Sequence, residues 1–230
     1  MPKLGLGAGI GRAIVHTPGI VTDNLVMKHM YPAGGVQPLS DGAAYLNGTD
    51  AYVDLGSKAT SGDDATVSAW IYLLDANPND ILAYGDLMVR MQNATTLYVY
   101  PDKGSGAGYC TVPNSLNSWN HICIVIDDDA VALYHNGVLI PTTGTPGTLS
   151  TDSTASYIGR YGSDYFNGYI CNVGFWTRTL DIAEVKSIMW KQYADLTGDA
   201  STGELKNLLS WWNLDTNAKD GTATNNGTLT

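Results

Sequence analysis

Apolar and polar positions alternate along most of the chain, in runs short enough for strands and separated by Asn, Asp, Gly and Pro. From Ala65 to Tyr72 (ATVSAWIY), Val67, Ala69 and Ile71 share one face while Ser68, Trp70 and Tyr72 share the other, so both faces can be covered. From Trp119 to Ile126 (WNHICIVI), Ile122, Ile124 and Ile126 alternate with His121, Cys123 and Val125. The run Asp127-Asp128-Asp129 predicts a turn, Val131 to Tyr134 a returning strand, and Asn136-Gly137 the left-handed pair of a tight hairpin before Val138-Leu139-Ile140. One segment breaks this period of two. Leu180 to Tyr193 puts Ile182, Val185, Ile188 and Met189 on one stripe, with Asp181 and Glu184 spaced as a capping box. It predicts one amphipathic helix near residues 181–193, with Lys186 and Lys191 turned away from the protein.

The fold class expected from this pattern is all-β. The chain has 230 residues, 44% of them hydrophobic and 15% charged, a balance that excludes a disordered polymer and suits one large sandwich. Twelve Lys and Arg face 22 Asp and Glu, a net charge of −10 without any basic run. Such a chain cannot gain counterion-release energy on nucleic acid, and no apolar run approaches the length that crosses a bilayer, so neither nucleic acid nor membrane is an expected partner. Met1 to Ile14 is interrupted by Gly5, Gly7, Gly9 and Gly11 and does not read as a secretory signal. Cys110, Cys123 and Cys171 lack metal-ligand or redox spacing and are expected to be reduced thiols of a protein made in the cytosol, with an intermolecular disulfide as the alternative.

Reactive chemistry is sparse. Glu184 and Glu204 are the only glutamates, and no strand carries the closely spaced carboxylate pair that glycoside hydrolysis needs. Cys123 and His121 share a strand face, yet a buried thiol beside a partly buried imidazole is the simpler reading. The Gly5-to-Gly11 repeat lacks the strand-turn-helix context of a phosphate loop and reads as a flexible arm. No catalytic residue, metal site or cofactor is assigned. For a sugar, Tyr161, Asp164, Tyr165 and Asn167 combine aromatic rings with planar polar groups in one loop, and Tyr98 and Tyr100 offer a second platform. The same tyrosines also read as strand residues with hydroxyls at the rim, or as a protein interface.

Six segments in order, Ala43–Gly56, Thr66–Tyr72, Ser118–Ile126, Val131–Gly137, Tyr157–Arg160 and Phe166–Glu184, resemble the laminin-G-like, concanavalin A-like lectin/glucanase superfamily across roughly residues 25–190. The resemblance implies a two-sheet antiparallel jelly-roll sandwich, with Trp70, Trp119, Phe175 and Trp176 as large inward residues. Many members bind calcium at the rim. Asp63-Asp64, Asp127 to Asp129 and Asp164 could supply oxygens, but Cys171-Asn172 stands where relatives place aspartates, so calcium is not expected. Asp23–Gly56 is similar to a version of the domain in structural proteins of tailed bacteriophages. This implies a Gly-rich arm (1–24) anchoring the chain to capsid or tail proteins through Leu4, Leu6, Ile10, Ile14 and Val15, then the sandwich (25–193) and a C-terminal extension with an additional strand (194–230). The function so implied is that of a non-enzymatic virion protein: a capsid decoration or cement, homo-oligomeric on a symmetric shell and made in the host cytoplasm. The alternatives are a host-glycan-binding head or tail fibre and a divergent glycan hydrolase. Finally, Asn24–Tyr31 and Asn207–Leu214 both read like the opening strand of this family, either as two copies that could pair or as a chance similarity.

Overall fold

The computed structural model describes residues 38–104, 106–113 and 115–230. The arm, its anchoring residues Leu4, Leu6, Ile10, Ile14 and Val15, and the first opening-strand-like segment lie outside the described residues. Two antiparallel sheets dominate. The smaller consists of β1 (Ala44–Asn47), β3 (Asp64–Leu73), β8 (Trp119–Asp127), β9 (Ala130–His135), β10 (Val138–Ile140), β15 (Asn167–Trp176) and β18 (Leu208–Trp212). Its order is β1-β15-β3-β8-β9-β10, with β18 also on β15. The larger consists of β2 (Val53–Lys58), β4 (Asn79–Tyr84), β5 (Leu87–Asn93), β6 (Thr96–Tyr100), β7 (Gly108–Thr111), β11 (Thr143–Gly144), β12 (Thr154–Ile158) and β19 (Thr228–Leu229), in the order β11-β7-β6-β5-β4-β12-β2-β19. Two short hairpins, β13–β14 (Arg160–Tyr161 and Asp164–Tyr165) and β16–β17 (Gly198–Asp199 and Thr202–Gly203), stand apart from both. The result is all-β, as the alternation predicts, and is the two-sheet jelly-roll sandwich that the resemblance implies.

The core forms where the inward positions of the two sheets meet. Val67, Ala69 and Ile71 of β3 and Ile122, Ile124 and Ile126 of β8 pack against Leu82, Val89, Leu97, Val99 and Ile158 of the larger sheet, all fully buried. Phe175 stacks on Tyr84 across the gap at 4.5 Å. Each such apolar side chain contributes about 1.5–3 kcal/mol of burial. Asn136 and Gly137 adopt φ of 51° and 73° in the β9–β10 turn, as the pair requires.

The other face of the smaller sheet is covered too, and there the expectation for the large aromatics is corrected. Of the residues expected to point inward, Phe175 does so, but Trp70 and Trp176 project to the outside of the sheet. An odd residue offset puts them on the face opposite Ile71 and Phe175. They are buried there because α1 (Ile182–Ile188) and the segment after it lie over them. The Trp70 indole donates to the Met189 carbonyl at 2.8 Å, and the Trp176 indole to the Glu204 carbonyl at 2.7 Å. Trp119, half-buried, ends an outward row of aromatic side chains directly opposed in register: Tyr45, Tyr169, Tyr72 and Trp119.

The helix is shorter than its periodicity predicts. Asp181 and Glu184 do form the capping box. At the other end the N–H groups of Trp190 and Lys191 turn back to Ser187 and Ile188, three residues earlier, and the helix closes. Ile182 is 43% exposed rather than part of the buried stripe, and Leu180, just ahead of the cap, takes its place against Val185 and Ile188. Lys191 does not face away: its ammonium lies 2.6 Å from both carboxylate oxygens of the buried Glu204.

Residues 194–230 reach both sheets. The free edge of β15 is shared, with β1 along Asn167–Ile170 and β18 along Val173–Trp176. β19 pairs with β2. Trp211 and Trp212 are buried, and the buried Asp220 accepts from the backbone N–H groups of Trp211, Thr222, Thr224 and Asn225, holding the returning loop.

Candidate functional site: a tyrosine face on the larger sheet

Leu97, Val99 and Cys110 point into the core, so Tyr98 and Tyr100 of β6 and Tyr109 of β7 point out from the larger sheet. Tyr98 and Tyr109 sit directly opposite one another. Their ring centroids are 4.9 Å apart and the planes 17° from parallel; Tyr100 extends the stack at 5.9 Å and 17°. The aromatic row on the smaller sheet is different in kind. Its neighbouring rings meet at 44°, 83° and 68° instead of near-parallel.

Across from Tyr98 on the next strand stands Arg90. Its Nε lies 3.0 Å from Oδ1 of Asp80 on β4, close in charge though not aligned as a hydrogen bond, and its Nη2 donates to Oδ2 of Asp164 at 2.5 Å. Asp164 belongs to the β13–β14 hairpin, so one guanidinium ties that hairpin to the sheet. Gly159 makes the approach feasible. Its φ of 84° turns the chain out of β12, and a Cβ there would meet Leu46 Cδ1 at 2.1 Å. Phe166 N–H closes the base of the hairpin on the Gly159 carbonyl at 2.9 Å.

Burial of Asp80 pushes its carboxyl up to about 7. The Arg90 charge opposes the shift and Asp164 adds to it. Lys103 lies 4.6 Å from the Tyr161 ring and donates to the Gly85 carbonyl; its pKa is lowered by burial against the pull of Asp86 and Asp80. On the other flank the Arg160 guanidinium rests against three rings, at 4.7 Å from Tyr52, 5.1 Å from Tyr157 and 5.2 Å from Tyr165.

Of the residues singled out in the sequence, Tyr161, Asp164 and Tyr165 come together on the hairpin, and Arg90 links them to Tyr98 beside Tyr100. Asp164 is already spent on Arg90. Asn167 is drawn elsewhere: its amide donates to Asp75 Oδ2 at 2.7 Å and its backbone N–H to Asn79 Oδ1 at 2.6 Å. These bonds hold the rim of the sandwich. Arg90, Tyr109, Tyr52 and Tyr157 join the face without having been singled out. Tyr109 was legible in the alternation of Gly-Tyr-Cys-Thr (108–111); the others become neighbours only through strand order.

The three cysteines and, among the described residues, the histidines are buried. His121 Nε2 lies 2.8 Å from Ser68 Oγ beneath the helix, with both residues buried. Burial, helped by His135, holds its imidazole down to about 3. All three cysteines are free and buried, and burial raises their thiols well above the ordinary range. The acidic turns do converge, since Asp64 is opposite Asp127 and Asp128 N–H donates to the Asp63 carbonyl. Among the described residues, however, no three His, Cys, Asp or Glu are placed to hold a metal ion. Asn172, where relatives place aspartate, has φ of 49° in a bulge of β15, and its amide donates to the Leu39 carbonyl. Among the described residues no helix is long and apolar enough to cross a membrane.

Residues 47–186, more than half the chain, match the family described as the concanavalin A-like lectin/glucanases superfamily. The chain belongs to this superfamily. A two-sheet sandwich similar to this one in fold recurs in solved structures of low sequence identity. A Bacteroides ovatus protein to which carbohydrate binding has been ascribed is 22% identical, with a TM-score of 0.62 over 81% of this chain; the match spans 57% of that protein. A heptameric SAP-like pentraxin from Limulus polyphemus is 18% identical, with a TM-score of 0.53 over 63% of this chain and 80% of its own. The CBM40 module of a Ruminococcus gnavus IT-sialidase, solved bound to α2,3 sialyllactose, is 15% identical, with a TM-score of 0.50 over 64% of this chain and 96% of its own. No curated protein sequence matches the chain.

Proposed function

We propose that this superfamily member is a non-enzymatic glycan-binding protein whose site is the tyrosine face of the larger sheet. One observation carries the reading: Tyr109, Tyr98 and Tyr100 form a near-parallel stack beside the charged groups of Arg90 and Asp164. A pyranose presents an apolar face that lies on such rings and hydroxyls that bond to planar polar groups. The likeness of the sandwich to the Bacteroides ovatus protein and to the sialyllactose-bound module supports the same reading.

Hydrolysis at this face is disfavoured by how its carboxylates and both glutamates are used. Glu184 is paired with Arg178 at 2.6 Å, Glu204 with Lys191, and Asp80 and Asp164 share Arg90. A general acid facing substrate would need a carboxyl free of such a partner.

The setting we propose is a bacteriophage virion, assembled in the host cytoplasm. There the chain would serve in several copies as a capsid decoration or adhesion protein, held to capsid or tail proteins by residues 1–24 and touching a host-surface glycan. The similarity of Asp23–Gly56 to phage structural proteins supports this setting.

The test is a glycan array and host-polysaccharide binding with the full chain and its Tyr98→Ala and Tyr109→Ala variants. Loss of about tenfold in affinity for each variant is expected, from the worth of one aromatic contact; unchanged binding refutes the site. Antibody labelling of purified particles, with and without residues 1–15, tests the virion setting.

A further inference from the structure

The described arginines fall into two kinds. Arg90 and Arg178 each meet a carboxylate within 3.0 Å. Arg160 meets none. Its only hydrogen bond among the described residues runs from Nε to the Gly162 carbonyl at 3.2 Å. Its terminal nitrogens donate to no protein group among the described residues, although the chain carries 22 acidic side chains.

What surrounds Arg160 is aromatic. Tyr52, Tyr157 and Tyr165 stand around the guanidinium, and Tyr52 meets Tyr157 edge to face at 5.4 Å. Rings of this kind attract a cation without neutralising it and restrict the orientation of its plane. Arg160 therefore retains its full charge and a forked pair of donors. It sits in β13 beside Tyr161 and directly across from Tyr165, on the hairpin that Asp164 joins to Arg90.

Resting on the glycan-binding reading above, we propose that the glycan bound there is acidic, and that Arg160 binds the carboxylate of a uronic or sialic acid residue while the Tyr98 stack, three strands away, holds a sugar ring further along the same glycan. A planar fork of N–H donors matches a carboxylate with two parallel hydrogen bonds, which neither a hydroxyl nor a carbonyl reproduces. In a protein of net charge −10, a polyanion gains nothing from long-range attraction, so its recognition must come from local cations. Arg160 supplies that local charge, since Lys103 over Tyr161 is already paired with Asp86 at 3.9 Å.

The experiment is calorimetric titration of the full chain with matched ligand pairs: a galacturonate tetrasaccharide against its carboxyl-reduced form, and sialyllactose against lactose. The wild-type protein is expected to bind the acidic member of at least one pair tenfold or more tightly, with affinity falling as NaCl is raised from 50 to 500 mM. Arg160→Gln is expected to erase that preference, and Arg160→Lys to restore only part of it. Equal wild-type affinity within both pairs, or an acidic preference that survives Arg160→Gln, overturns the inference. Neutral ligands bound through Tyr98 with no acidic preference leave the general glycan reading standing and remove this one. Failure of every ligand to bind removes both. The wild-type comparison and its salt dependence decide the matter even where Arg160→Gln lowers the melting temperature.

Discussion

Arg90 on β5 and Asp164 on the β13–β14 hairpin meet at 2.5 Å. The same guanidinium reaches Asp80 beneath them, so one side chain bridges the hairpin to the sheet. Preorganisation of this kind lowers the entropic cost of binding, because the platform is in place before a ligand arrives.

Removing the arginine should be far more costly than removing its outer partner. Asp80 has no exposed side-chain surface, whereas Asp164 keeps 46% of its own. Arg90→Leu leaves a buried carboxylate without its countercharge and is expected to cost about 3 kcal/mol. Asp164→Asn, at a half-exposed site, should cost about 1 kcal/mol or less. Urea unfolding of the two variants measures both, and equal losses would contradict the clamp.

The raised carboxyl of Asp80 makes a signed prediction about pH. With a native pKa of about 7 against an unfolded value near 3.8, the folded chain binds the extra proton between those limits. Its contribution to stability is therefore full below pH ~4 and lost as pH rises through about 7. Asp80→Asn cannot titrate. The stability of the variant relative to wild type should improve steadily from pH 4.5 to 7.5; a difference constant over that range would refute the assignment.

His121 and His135 act in the opposite sense. Burial lowers both, His121 to about 3, so between that value and the ordinary 6.5 the unfolded chain binds more protons. Their contribution is present above pH 6.5 and lost as pH falls through the native values. In the Asp80→Asn background, stability should decline as pH drops from 6.5 to 4.5. NMR titration of the His121 ring should show it neutral at pH 5; a protonated ring there contradicts its burial against Ser68 and Trp70.

The C-terminal segment should behave as part of the sandwich rather than as an appendage. Trp212 is fully buried in the main core, and its indole donates to the Asn225 carbonyl at 3.0 Å. Trp212→Ala is expected to cost about 3–5 kcal/mol in urea unfolding. A loss below 1 kcal/mol would mean that β18 contributes little to the fold.

The alternation of Val67, Ala69 and Ile71, the Asn136-Gly137 hairpin and the Asp181–Glu184 cap were all legible along the chain, because strand period, turn backbone and helix start are decided by residues close in sequence. So was the placement of Tyr161 with Tyr165 in one loop. Period alone assigns a side chain to one face of its own strand, but it does not say what covers that face. Trp70 and Trp176 went under the helix instead of between the sheets, and Lys191 turned in to Glu204, because segments far along the chain came to lie over them. The neighbours of Arg90 and Arg160 follow from the β5-β4-β12-β2 strand order and from the turn at Gly159. Strand order is settled only by how the whole set of apolar faces can be buried at once. Local patterning thus determined that the chain is all-β and rich in outward tyrosines, and tertiary packing decided which of them share a face and which of the described arginines meets no described carboxylate.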